Sequence, residues 1–269
     1  MQKTASQIMT FALLLSCVIR PDIAGCGVPA EGRQRTTVLI VSGISKDPND
    51  RAVRNQTVSG LREHLLNRMN VDPQRLTILS ADASTALQIS QMLETFASAV
   101  RPSDRFIFYY LGQANAAGGE LRFNLSGPDM TQKELAERLN KIKAATQLIV
   151  LDCPCAALAA KALTTANRIV VCASSATQVY GTRFSPHFVH VLAQPQTDAN
   201  SDGKVSLLET FTATAREVEQ WYRQQGILPT ETPCLEDDGD GVPSERPWKY
   251  QTEGGDGLKA STFLLMEGR

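Results

Sequence analysis

Short apolar runs alternate along this chain with longer segments in which apolar residues recur every three or four positions. The runs at 37–42, 76–79, 106–110, 148–151 and 168–173 are rich in β-branched and aromatic side chains and too short for stable helices, so they predict strands. Between the first two, Val53, Leu61, Leu65 and Met69 recur near helical spacing, and Leu87, Met92, Leu93, Phe96 and Val100 do so after the second. Thr131 followed three residues later by Glu134 is a capping box that starts a helix running to Lys143, and 156–165 is an alanine-rich helical segment.

Strands alternating with helices at this spacing imply an α/β protein, a three-layer αβα sandwich with a mainly parallel sheet covered on both faces. Right-handed crossovers put the carboxyl ends of such strands on one edge, and the loops leaving that edge surround the crevice in which α/β proteins keep their chemistry. The fourth run ends there in Asp152-Cys153-Pro154-Cys155, which places two thiols at the address of a nucleophile. A thiol needs a partner that takes its proton or lowers its pKa. The chain has three histidines: His64 in the first helix, expected to be exposed, and His187 and His190 three residues apart on one face of a later helix, read as surface or packed groups.

At 269 residues with 42% apolar and 20% charged residues, the chain suits one substantial core. A formal net charge of -1 gives no basic field, which excludes an electrostatic nucleic-acid binder and a membrane-surface patch. Lys3 followed by the apolar stretch 8–19 has the pattern of an export leader and is too short to span a bilayer. Residues 1–26 therefore read as a signal peptide or lipoprotein leader. Cys17 and Cys26 each end a four-residue pattern resembling a bacterial lipobox. Either outcome puts the mature domain outside the cytoplasm, with a membrane reached only through a lipid anchor. Residues 27–35 read as linker, 36–231 as the α/β domain, and 232–269 as an acidic, Gly/Pro-rich loop or tail in which 261–266 returns as an edge strand. The cysteines do not read as a disulfide framework: Cys153 and Cys155 are too close for an unstrained bridge, Cys172 lies in an apolar run and Cys234 stands alone in a loop.

Residues 198–209 fill the twelve-residue EF-hand-type template. Asp198, Asn200 and Asp202 supply oxygens at positions 1, 3 and 5, and Gly203 permits the turn at 6. Lys204 offers its carbonyl at 7, Ser206 acts at 9 and Glu209 closes the set at 12. This predicts a single structural Ca²⁺ site; the alternative is an acidic turn that caps the helix at 207–222. Asp237, Asp238 and Asp240 make a second weak site or a solvated loop.

With these strands and loops in order, the chain resembles the caspase/legumain superfamily of cysteine peptidases, in particular its bacterial caspase-like members, over roughly residues 37–241. The resemblance rests on the third strand, Tyr109-Tyr110-Leu111-Gly112-Gln113-Ala114, on the fourth-strand ending, and on the segments 123–129, 182–184, 198–211 and 235–241. It implies a caspase/legumain-like fold with the general-base position at Gln113 and the nucleophile position at Pro154. Asp152 and Cys153 precede that position, and Cys155 falls one place late. A glutamine amide cannot accept a thiol proton near neutral pH, and proline has no nucleophile. The resemblance also makes Ser174, Ser175 and Arg183 the wall of a pocket for a peptide or carboxylate, or else a polar turn with a surface arginine. The resulting expectation is a non-catalytic pseudopeptidase domain that binds or scaffolds a peptide or protein partner. An active cysteine endopeptidase using Cys155 or Cys153 with an unidentified base is the first alternative, and a Cys-Pro-Cys redox protein is the second.

Overall fold

The computed structural model describes residues 34–249 and 254–266. The leader, with Cys17 and Cys26, and most of the linker lie outside these residues. The first half runs β1 (Thr36–Ser42), α1 (Pro48–Asn67), β2 (Leu76–Ser80), α2 (Ala86–Ala99) and β3 (Arg105–Leu111). A small excursion follows, β4 (Ala114–Ala117), β5 (Glu120–Phe123) and β6 (Met130–Thr131), and leads into α3 (Gln132–Leu139). Then come β7 (Thr146–Asp152), α4 (Ala160–Leu163), β8 (Arg168–Cys172), α5 (Phe184–Leu192), β9 (Val205–Ser206) and α6 (Leu207–Gln225). The chain closes with β10 (Cys234–Glu236), α7 (Leu258–Thr262) and β11 (Leu264–Met266).

Six strands form the central sheet in the order β10-β8-β7-β3-β1-β2, all parallel except β10. Strand side chains alternate between faces, and here both sets are apolar. Leu39, Val41, Phe106, Phe108, Tyr110, Ile149, Leu151 and Val170 join one core with residues of α2, α3 and α4. Val38, Ile40, Ile107, Tyr109, Leu148, Val150, Ile169 and Val171 join the other with α1, α5, α6 and α7. The result is a three-layer α/β sandwich. Burial of both faces explains why the strands read as unbroken apolar runs.

Local rules set the helix starts. Thr131 accepts from the Glu134 amide while Glu134 returns the bond to Thr131, completing the capping box. The helix it starts stops at Leu139, earlier than Lys143. The alanine-rich segment at 156–165 splits into a 3-10 turn, Ala156–Ala159, and the four-residue α4, because the chain leaves β7 through a left-handed Cys155 and must turn under β8. At the opposite edge of the sheet, buried Asp104 ties β1 to β3 through Arg35 and Arg101 at 2.8 and 3.0 Å.

The segment from 232 onward differs most from a loop or tail. Its described part belongs to the same compact unit as the sheet, and β10 adds the sixth strand with Cys234, Leu235 and Glu236 opposite Cys172, Val171 and Val170. Three residues are too few to show a period, so this strand exists only through its partner. Residues 261 and 262 end α7, and β11 pairs with β9 in a separate two-stranded ladder. Among the described residues no helix is long and apolar enough to cross a membrane.

Candidate functional site

β3 and β7 are neighbours in register, with Leu111 opposite Asp152 and the Gly112 amide donating to the Asp152 carbonyl at 3.0 Å. The stretches that follow them, Gln113 and Cys153-Pro154-Cys155, therefore leave the sheet side by side. Tyr110 folds back over this exit and donates to the carbonyls of Gln113 at 2.6 Å and Asn124 at 3.2 Å. Its hydroxyl occupies the space a Cβ on Gly112 would need, 2.7 Å away, so only glycine fits there. Gln113 is exposed and its amide reaches toward Gly181, in the loop after β8.

Both thiols are covered. Cys153 is 0% and Cys155 1% exposed, and the Cys155 Sγ donates to the Gln178 carbonyl at 3.5 Å. Burial pushes the Cys153 thiol well above its ordinary value, with the Asp152 charge adding to it, and burial also raises Cys155. The histidines are engaged elsewhere. His187 and His190 contact Glu217 through Nδ1 at 3.1 and 3.0 Å, and His64 Nε2 donates to the Leu265 carbonyl at 2.9 Å. His64 is half-buried rather than exposed, because β11 lies across α1, and desolvation lowers its pKa.

The expected pocket residues do not converge. Ser174 is fully buried; its Oγ donates to the Cys153 carbonyl at 2.8 Å and accepts from the Ala156 amide at 3.0 Å, stapling the turn after β7. The Ser175 amide donates to Gln178 Oε1 at 2.8 Å. Arg183 is exposed and lays its guanidinium 3.7 Å from the Trp221 ring centroid.

Two buried carboxylates stand behind this loop. Asp152 Oδ2 accepts from the Ser185 amide at 3.0 Å, while Oδ1 has no hydrogen-bond partner, and burial raises its pKa. Glu231, 2% exposed, accepts from the Arg183 amide at 2.9 Å and from the Tyr222 hydroxyl at 3.1 Å. Burial, reinforced by the Asp152 charge, pushes Glu231 up to about 7. Sequence reasoning missed Glu231, since a single acid in a polar loop carries no periodic or motif signal. At the carboxyl ends of β1 and β2, beside the point where strand order reverses, a cavity of about 450 Å³ is lined by Ser42, Gly43, Arg51, Arg54, Ser80 and Asp82.

No family model matches the chain, and no curated protein matches it. Its structure is similar to the crystal structure of a Geobacter sulfurreducens protein solved as a structural-genomics target. The two share 13% identity at a TM-score of 0.50, over 75% of this chain and 92% of that one. The fold is shared. At that identity the likeness speaks to nothing beyond the fold.

Two acidic regions complete the picture. In the 198–209 loop, Asp198 accepts from the amides of Asp202 and Gly203 at 3.1 and 2.9 Å, and Asn200 Oδ1 from Asp202 at 2.9 Å. Asp202 Oδ1 accepts from the Lys204 amide at 2.8 Å. Glu209 Oε1 reaches back to the amides of Ala199 and Asn200, and its Oε2 takes the Ser206 amide and hydroxyl, so the helix-capping geometry is also present. Gly203 has φ +81° at the turn. Among the described residues, however, the acidic side chains gathered within 4.8 Å of one another are Glu236, Asp238 and Asp256. Glu236 is fully buried with Oε1 on the amides of Gly239 and Gly241, at 2.8 and 3.3 Å, and with Oε2 unpartnered. Asp256 accepts from the amides of Asp237 at 2.7 Å and Ser244 at 2.9 Å. This largely buried triad can hold a metal ion.

Proposed function

We propose that this is an exported, non-catalytic domain of caspase/legumain-like type, a pseudopeptidase whose crevice binds or scaffolds a peptide or protein segment. The observation that carries the reading is the state of the strand-end thiols. Cys153 and Cys155 are buried and held protonated, Pro154 stands between them, and Gln113 on the neighbouring strand end is no proton acceptor. The adjacency of β3 and β7 also supports the reading, because it puts the two positions that the resemblance names on one edge. Export rests on the leader-like residues 1–26 and on Cys17 or Cys26.

The purified protein tests this directly. Peptides containing Asn, Asp, Arg and Lys remain uncut, and a thiol reagent modifies Cys153 and Cys155 only when the chain is unfolded. Cleavage abolished by Cys155→Ala or Cys153→Ala would reinstate the endopeptidase.

Calcium belongs to the same proposal as a structural ion. Both acidic regions offer only oxygen donors, the preference of a hard divalent cation, and both are irregular loops that suit the flexible coordination of Ca²⁺. Calorimetric titration with Ca²⁺ gives binding that Asp202→Ala removes if the 198–209 loop is the site, or that Asp256→Asn removes if the triad is. A parent protein that takes up no Ca²⁺ overturns the assignment.

A further inference from the structure

Cys172 and Cys234, which sit far apart in sequence in an apolar run and an acidic-flanked loop, meet across the edge of the sheet. They are direct partners in the antiparallel ladder between β8 and β10. Directly opposite residues in such a ladder have Cα atoms roughly 4.5–5.5 Å apart and point their side chains to the same face. That separation falls inside the range a disulfide spans, about 4.4–6.8 Å. Both side chains are in the core between the sheet and the α2, α3 and α4 layer, at 0% and 3% exposure, and the neighbouring Cys234 thiol together with burial pushes the Cys172 thiol well above its ordinary value.

We infer that Cys172 and Cys234 close into a disulfide when the chain folds in the presence of a small-molecule or protein disulfide. One thiolate attacks the external disulfide, forming a mixed disulfide and releasing one thiol; the second thiolate then attacks the protein sulfur of that mixed disulfide. The Cys172–Cys234 bond forms, the external S–S bond breaks, and its two sulfurs leave as thiols with the two protons and two electrons of the protein pair. Because both sulfurs are covered once β10 has docked, the exchange takes place before or during docking of this three-residue strand.

The bond matters because of what β10 carries. Glu231 and Thr232 precede it, and Thr232 Oγ1 accepts from Gln178 Nε2 at 2.8 Å, which ties the segment to the loop that covers Cys155. Glu236, at its end, belongs to the metal-capable triad. A bridge from Cys234 to the central sheet therefore fastens both the cover of the strand-end loop and the acidic cluster. Cys153 and Cys155 are not cross-strand partners; Cys155 has a left-handed backbone at φ +54° and its Sγ donates to the Gln178 carbonyl.

The bridge goes beyond the proposed binding role and relies on export only for where the oxidant is met. The full chain is refolded in a buffer of oxidised and reduced glutathione, digested without reduction and mapped by mass spectrometry. The expected product is a linked pair of peptides containing Cys172 and Cys234, with a mass lower by two hydrogen atoms. Oxidised parent protein melts several degrees above its reduced form, about the shift expected for a native cross-link, whereas Cys234→Ala shows no such difference. Both cysteines recovered free, or joined to Cys153 or Cys155 instead, would overturn the inference. The mapping needs only the parent chain, so a variant that fails to fold leaves the test intact. Glutathione supplies the oxidant, so a cytoplasmic location of the protein and a failure to bridge are separate outcomes.

Discussion

Glu231→Gln isolates the proton that burial holds on the carboxyl behind the strand-end loop. Desolvation raises Glu231 from an ordinary 4.5 to about 7, the Asp152 charge adds to it, and the bonds from Arg183 and Tyr222 offset only part. Between these two values the folded protein keeps a proton that the unfolded chain has released. The stabilisation from this group is therefore complete at acid pH and is lost as the pH rises through the folded value. A tenfold difference in proton affinity is worth about 1.36 kcal/mol, so the group contributes about 2.5 kcal/mol more at about pH 5 than at about pH 8. Glutamine keeps the size and one acceptor for the Arg183 amide but does not titrate. Urea unfolding of parent and variant across this interval, followed by the fluorescence of Trp221 beneath Arg183, measures the effect. Subtracting the two curves cancels the titrating groups that do not feel the Glu231 charge, which leaves Glu231 and the part of Asp152 coupled to it. The parent loses its relative advantage as the pH rises, most of it by about pH 7. A difference constant to about 0.5 kcal/mol, or one growing in the opposite direction, refutes the placement of Glu231 as a buried, protonated acid.

Ser174→Ala leaves the Cys153 carbonyl and the Ala156 amide unpaired in the interior, at about 1–3 kcal/mol each. Chemical denaturation is expected to register a loss of at least about 2 kcal/mol, whereas a pocket-lining serine would cost far less. Burial alone would raise the Asp104 carboxyl, but hydrogen bonds from the side chains and amides of Arg35 and Arg101 outweigh it and hold the group well below the usual carboxylate range. Asp104→Asn therefore costs on the order of 3 kcal/mol at neutral pH. That gap narrows as the pH falls below about 4, where the parent loses the same contribution by protonation; acid titration of both proteins measures it.

The five parallel strands were legible because both faces of the sheet are buried, which writes each strand as an apolar run such as 106–110. The capping residue Thr131 was legible for a local reason, since its partner Glu134 lies three residues away; the Ser206 and Glu209 box was hidden by the calcium template that the same residues fill. The candidate site was legible only in its address. Asp152 through Cys155 do leave the sheet beside Gln113, but Ser174 turned out to be a buried staple and Arg183 a lid on Trp221, because those roles depend on loops from β8 and α6 meeting over the strand ends. Asp238 was read with Asp237 and Asp240 as a weak acidic site, whereas Glu231, β10 and the triad members Glu236 and Asp256 were not singled out. Their partners lie tens of residues away.

Local pattern by itself thus determined the layers, the order of the parallel strands' surroundings and the edge on which the thiols emerge, because hydrophobic periodicity and helix caps act within a few residues. The three-dimensional packing decided which of those groups are covered, which carboxylates are forced together away from water, and that Cys234, solitary in the chain, faces Cys172. Burial and cross-strand contact are properties of pairs distant in sequence, and they set the protonation of Glu231 and the pairing of the two sulfurs.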